Sequence, residues 1–333
     1  MATTTVMGAG SWGTAFALVL ADAGNDVRIW GRRQELCDAI NEQHRNVDYL
    51  PDIELPETIR ATHDPAEALA DADVVVLAVP SQQLRANLEA WAEHVPADAV
   101  LVSLMKGIEL GTHQRMSEVI AELTGAGPER IAVVSGPNLA KEIASREPAA
   151  SVVACEDQAV AERLQQLCHT AAFRPYTLTD VVGCELGGTT KNIIGLAVGV
   201  CVGLGFGDNT KASVITRGLA ETARLGQAMG ADPRTVSGLA GMGDLVATCS
   251  SPLSRNRTFG EKLGQGLSVE EVTAQTKQVA EGVKSCQSVA ELARMHGVDM
   301  PIVEHVAALI AGEMNPDELV QALISREAKP EVG

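Results

Sequence analysis

The sequence predicts a doubly wound α/β sheet followed by an all-α domain. Three observations carry that prediction. Residues 3–7 are a short β-branched and apolar run that leads straight into Gly8-Ala9-Gly10-Ser11-Trp12-Gly13 and then into an amphipathic segment. Unbroken apolar runs recur at 73–80, 99–104 and 131–135, each ending in turn residues and separated by helical periodicity. That is the pattern of parallel strands buried on both faces. Beyond about residue 180 the strand pattern stops and helical patterning continues almost to the end. The expected division is therefore 1–180, sheet with helices, and 181–333, helices alone.

The first strand is followed by a G-x-G-x-x-G spacing and a helix expected at 14–23. This strand–turn–helix context is what makes the spacing informative. Gly8 suits the tight turn, Gly10 leaves bare backbone beside a pyrophosphate, and Gly13 lets the helix approach the strand. The N–H groups of the helix start then face the phosphates, with the macrodipole behind them. The pattern is that of a Rossmann-type dinucleotide-binding fold. A second strand, 26–30, ends in Gly31-Arg32-Arg33, where an NAD-selective site carries an acidic residue. A carboxylate repels a 2′-phosphate, whereas guanidinium groups hold one. NADP(H) is thus the expected cofactor, with NAD(H) possible.

A helix and an irregular stretch, 42–56, separate these elements from the strand at 73–80. Helices are expected at 82–94, 114–123 and 139–145, between and after the later strands. Ligands on such sheets sit beyond the carboxyl ends of the strands. Pro80-Ser81, Lys106 and Gly136-Pro137-Asn138 all fall there. Runs at 150–155 and 173–178 extend the sheet, and helices follow at 185–205, 211–229, 259–264, 269–275, 283–296, 302–311 and 316–324.

Composition narrows the function classes. A chain of 333 residues with 46% hydrophobic and 21% charged residues is globular and large enough for two cores. The net charge of −17 argues against nucleic acid or an anionic membrane as partner. It also means that a phosphate-bearing ligand needs a local group of cations. The N-terminus runs directly into a strand, with no secretory-signal pattern, and the longest apolar stretch, 193–206, is glycine-rich and reads as a buried helix. Seven scattered cysteines with no C-x-x-C suit reduced thiols in the cytoplasm, and no ligand spacing suggests a metal.

Two segments carry the candidate chemistry. Lys191 lies in an apolar helical stretch, and of its neighbours three and four residues away, Gly187, Gly188 and Gly195 have no side chain. Three helical glycines around one lysine are expected to open space for a ligand. A lysine acting as base must lower its pKa from about 10.4 to about 7–8, through burial or a second cation. Lys106, at a strand end, is the candidate second cation. The other segment is Gly238-Leu239-Ala240-Gly241-Met242-Gly243-Asp244, followed by Thr248 and then Ser254-Arg255-Asn256-Arg257, where a hydroxyl, a forked cation and an amide suit a phosphate monoester. A phosphate-free hydroxyacid reductase would not need that trio, and an idle dinucleotide-binding scaffold would not need Lys191.

Together, Gly8-Ala9-Gly10-Ser11-Trp12-Gly13, Val79-Pro80-Ser81, Lys106-Gly107, Ser135-Gly136-Pro137, Thr190-Lys191-Asn192, Gly241-Met242-Gly243-Asp244-Leu245, Ser254-Arg255-Asn256 and Ala280-Glu281-Gly282 resemble bacterial NAD(P)-dependent glycerol-3-phosphate dehydrogenases, in the family's order. The resemblance implies interconversion of dihydroxyacetone phosphate and sn-glycerol 3-phosphate for phospholipid synthesis. It implies dinucleotide contacts from Ser11, Trp12, Arg32, Arg33, Lys106, Ala140, Arg255, Val279 and Glu281, beside the glycines. It implies substrate contacts from Lys106, Gly136, Asn138, Lys191, Asp244, Ser254, Arg255 and Asn256, with Lys191 as the proton acceptor. Asn138 stands where the family usually has Ser or Thr. The expected partners are the small-molecule substrate and a second copy of the chain.

Overall fold

The computed structural model describes residues 2–275 and 280–324. Eight strands, β1 (Thr3–Met7), β2 (Asp26–Trp30), β3 (Ile59–Thr62), β4 (Val74–Leu77), β5 (Val100–Ser103), β6 (Ile131–Ser135), β7 (Ala149–Cys155) and β8 (Phe173–Leu178), make one sheet. Their order is β3-β2-β1-β4-β5-β6-β7-β8. The first six follow the 3-2-1-4-5-6 order of a dinucleotide-binding sheet, whose connections change sides between β1 and β4. All pairings are parallel except β6–β7, where the chain turns back through Gly136 at φ 145°. The expected α/β sheet followed by helices is what forms.

The strands expected from apolar runs are present, and β3 is an addition. Ile59-Arg60-Ala61-Thr62 alternates buried and exposed residues at the sheet edge, so it lacks the continuous apolar run of the central strands. The helix from the glycine turn begins at Ser11 rather than Thr14, with Gly10 as its N-cap. The sheet packs on one side against Ser11–Asp22 and Gln158–Cys168. On the other it packs against Leu84–Trp91 and Met116–Thr124.

A second apolar core surrounds the helix Val181–Gly203. It begins earlier than the pattern suggests because the Asp180 carboxylate caps it, accepting from the Gly183 N–H at 2.8 Å. By length and composition this helix passes for a membrane span, yet nearly all of it is buried among the other helices. Gly199 and Gly203 lie against the helix Arg255–Gly264, whose Gly260 and Gly264 lie against Leu196 and Val200 in return. A Cβ at Gly199 would run into the Arg257 carbonyl, and one at Gly260 into the Leu196 carbonyl. The two backbones therefore touch directly.

The sheet and helical parts are tied by buried polar contacts. The Glu185 carboxylate accepts from the Ser117 N–H (2.9 Å), the Ser117 hydroxyl (2.6 Å) and Arg115 (2.8 Å). Burial raises its pKa while these donors hold it down. The Ser288 hydroxyl donates to the Ile108 carbonyl at 3.0 Å. Gly107 lies so close to Ser81 and Ser285 that a side chain there would collide with both.

Candidate active site

A cleft of about 760 Å³ runs from the glycine turn, past the ends of β4 and β5, to the helices of the second half. Its wall includes Gly8, Gly10, Ser11, Trp12, Gly13, Arg32 and Arg33 at one end. Lys106, Asn138, Ala140, Lys191, Ser254, Arg255, Asn256 and Glu281 line the other. Sequence positions more than 270 residues apart, Gly8 and Glu281, therefore converge, because the strand ends and the N-termini of two helices meet there. Val279 lies outside the described residues.

The glycine turn fits a dinucleotide. Gly8 takes φ 136° and passes against the Ala78 carbonyl, and Gly13 packs on the Gly8 carbonyl, where no Cβ would fit. A Cβ on Gly10 would meet nothing within 4 Å, so that backbone faces the open cleft. No side chain caps the helix start at Gly10. The Trp12 indole N–H is buried with no acceptor in the protein. Bare backbone, helix N–H groups and an orphan donor are what a pyrophosphate would satisfy.

At the far end, two lysines share one carboxylate. Asp244, 2% exposed, accepts from Lys106 and lies 3.1 Å from the Lys191 ammonium. Lys106 also donates to the Gly136 carbonyl (3.1 Å), and Lys191 to the Thr248 hydroxyl (2.7 Å). Burial brings the Lys191 pKa from 10.5 down to about 8; Asp244 works against the shift, and Lys106 and Arg255 add to it. A residue carrying a removable proton near neutral pH thus faces the cleft. Burial likewise lowers the Arg255 pKa, opposed by Glu281, and Arg255 lines the cavity.

Several expectations change on the structure. Gly187, Gly188 and Gly195 open no space: a Cβ at each would meet the Ala240 carbonyl (2.6 Å), the Ser135 hydroxyl (2.6 Å) or the Thr248 methyl (2.9 Å). They are small so that neighbouring backbone and side chains can come close. Gly136 and Asp244 stand behind the lysines and not on the cleft wall. The Asn256 amide is largely engaged, donating to the Asn192 side-chain Oδ1 (2.8 Å) and accepting from the Gly282 N–H (3.0 Å). Ser254 is the N-cap of Arg255–Gly264, accepting from the Arg257 N–H at 3.3 Å. Asn138 donates to the Ser151 hydroxyl at 3.1 Å, and its own buried carbonyl oxygen has no protein donor.

Sequence reasoning placed Thr248 in the candidate segment and Ser81 at the ligand-facing strand ends, yet assigned no role to either or to Asn192. Thr248 stands one helical turn beyond Asp244, a spacing that put it in reach of the same ammonium. Ser81 donates to the Glu281 carboxylate at 2.6 Å and so joins the two halves at the cleft. Nothing in the local pattern signals that contact, which spans 200 positions.

A protein built this way falls, by class, among the dinucleotide-dependent dehydrogenases, with the nucleotide at the sheet's crevice and a lysine supplied by a helical partner half. Comparison with known proteins makes the class particular. The family model for the NAD-dependent glycerol-3-phosphate dehydrogenase N-terminus matches residues 3–161, and that for its C-terminus matches 180–321. The chain belongs to this family. A glycerol-3-phosphate dehydrogenase (NAD(P)+) of Streptomyces griseus is 66% identical over 326 residues, 98% of this chain and 97% of the relative. One from Thermobifida fusca is 63% identical over 98% and 97%. The crystal structure of glycerol-3-phosphate dehydrogenase from Coxiella burnetii superposes with a TM-score of 0.93 at 36% identity, covering 98% of this chain and 99% of that one. A ketopantoate reductase from Ralstonia eutropha shares the fold alone, with a TM-score of 0.61 at 17% identity.

Proposed function

We propose that the chain interconverts dihydroxyacetone phosphate and sn-glycerol 3-phosphate with NAD(P)H, supplying the backbone of phospholipids. The observation that carries this reading is the buried Lys191–Asp244–Lys106 cluster, with Arg255 beside it, on one wall of the dinucleotide cleft. When bound, the nicotinamide supplies or receives the hydride. Lys191 gives a proton to the C2 oxygen in reduction and takes one in oxidation. Its pKa of about 8 leaves both protonation states within reach near neutral pH.

Asp244 holds Lys191 and Lys106 so that both ammonium groups point at the C2 oxygen, stabilising negative charge there. Thr248 fixes the Lys191 rotamer through its hydroxyl. Arg255 grips the phosphate, with the Ser254 hydroxyl and the remaining Asn256 N–H as further donors. Asn138 accepts from a substrate hydroxyl with its orphan carbonyl oxygen. Glu281 and Ser81 close the seam that keeps water from the reacting end.

The reading includes a division near residue 180 and a homodimer in the cytoplasm, away from nucleic acid and anionic membranes. The charge of −17 supports the last point, and seven buried, free thiols support a reducing compartment. The test is oxidation of NADPH, followed by absorbance, on adding dihydroxyacetone phosphate. Folded protein that gives no rate above background overturns the reading.

A further inference from the structure

Beside the adenosine end of the cleft stands a carboxylate that the reading above leaves unused. Arg33 lines the cleft, and its guanidinium is ion-paired to Asp48, with both side chains about half exposed. The Asp48 loop is fastened to the glycine turn. The fully buried Asn46 amide donates to the Ala9 carbonyl (3.0 Å) and the Thr14 hydroxyl (2.8 Å). Asn46 also accepts from the Tyr49 N–H with its side chain (3.2 Å) and from the Leu50 N–H with its backbone carbonyl (2.9 Å). Tyr49 and Leu50 themselves line the cleft. Backbone on both sides of Asp48 is therefore set relative to Gly8–Gly13.

The neighbouring cations are matched in the same way, with Arg45 3.8 Å from Glu54 and Lys141 3.9 Å from Asp52. Among the described residues, Arg32 has no acid within 4 Å. We infer that Asp48 is a cofactor-specificity residue: it occupies Arg33 as an internal stand-in for a 2′-phosphate and so sets the balance between NADP(H) and NAD(H). The inference rests on the dinucleotide reading of the cleft. A 2′-phosphate must share Arg33 with a like charge, whereas a 2′-hydroxyl leaves the Arg33–Asp48 pair intact. Asp48 thus weakens only the phosphorylated cofactor, and Arg32 alone is left uncommitted to receive it. Because the pair is half exposed and screened, the effect is several-fold and not a thousandfold.

The test is calorimetric titration of wild type, Asp48→Asn and Asp48→Ser with adenosine 2′,5′-bisphosphate and adenosine 5′-monophosphate, and with NADP+ and NAD+. Both variants should bind the two 2′-phosphorylated ligands about three- to tenfold more tightly, with less than twofold change for the other two. The gain should shrink in high salt and vanish in an Arg33→Ala background. An unchanged preference, equal tightening of all four ligands, or a gain that survives Arg33→Ala overturns the role of Asp48. Wild type that binds neither dinucleotide overturns the reading of the cleft as well.

Discussion

Replacing Lys191 by methionine separates its chemistry from its burial. The folded-state pKa of about 8 lies below the ordinary 10.5 because the ammonium is buried, its side chain only 13% exposed. Between those two values the unfolded chain binds a proton that the folded chain has released. Wild-type stability therefore rises with pH across the window from 8 to 10.5, and the gain is lost as pH falls through about 8. At about 1.4 kcal/mol per pKa unit, the full window corresponds to roughly 3 kcal/mol. Lys191→Met lacks the group, so the unfolding free energy of wild type minus variant should climb by about that amount between pH 7.5 and 10.5. Urea titrations in half-unit pH steps measure it, since titrations common to both proteins cancel. The same variant should lose at least about a hundredfold in kcat, and Lys191→Arg should not restore it, because guanidinium keeps its proton. A flat stability difference would refute the buried, proton-releasing lysine. Wild-type kcat in Lys191→Arg would refute its role as acid and base.

Two more variants probe the surroundings. Arg255→Ala should lower kcat/KM for dihydroxyacetone phosphate about ten- to a hundredfold, and for unphosphorylated dihydroxyacetone far less; an equal loss for both would show that Arg255 does not read the phosphate. Gly199→Ala should gain about 1 kcal/mol of helix propensity and lose more where its Cβ meets the Arg257 carbonyl. A net drop of several degrees in Tm is expected by scanning calorimetry, and an unchanged or raised Tm contradicts backbone-to-backbone packing.

The strands that form the centre of the sheet were legible because burial on both faces leaves an unbroken apolar run, as Val74-Val75-Val76-Leu77 does. β3 was not, since an edge strand of four residues with two turned outward resembles any loop. Glycine at 8, 10 and 13 was readable because each has a separate geometric task within six residues. The glycines around Lys191 were misjudged for a related reason: a missing side chain says that something comes close, without saying whether it is a ligand or another backbone. The partners of Lys191 are mixed. Lys106 was legible as a second cation from its strand end, and Asp244 from its glycine-dense turn and the family resemblance, with Thr248 one helical turn beyond it; that the two lysines share the one carboxylate shows only on folding.

At Gly199, Gly203, Gly260 and Gly264 the contact between Val181–Gly203 and Arg255–Gly264 is main chain against main chain, and main chain has no alternative rotamers. An interface of side chains relaxes by re-choosing torsions; this one behaves as a rigid gauge. Lys191 stands on one arm of the gauge and Arg255 at the start of the other. The backbones that carry the group handling the C2 oxygen and the group gripping the phosphate are thereby held at a spacing set by atomic radii. A substrate longer by one carbon than a three-carbon phosphate is expected to fit less well. Selectivity for chain length then resides in residues that touch no substrate.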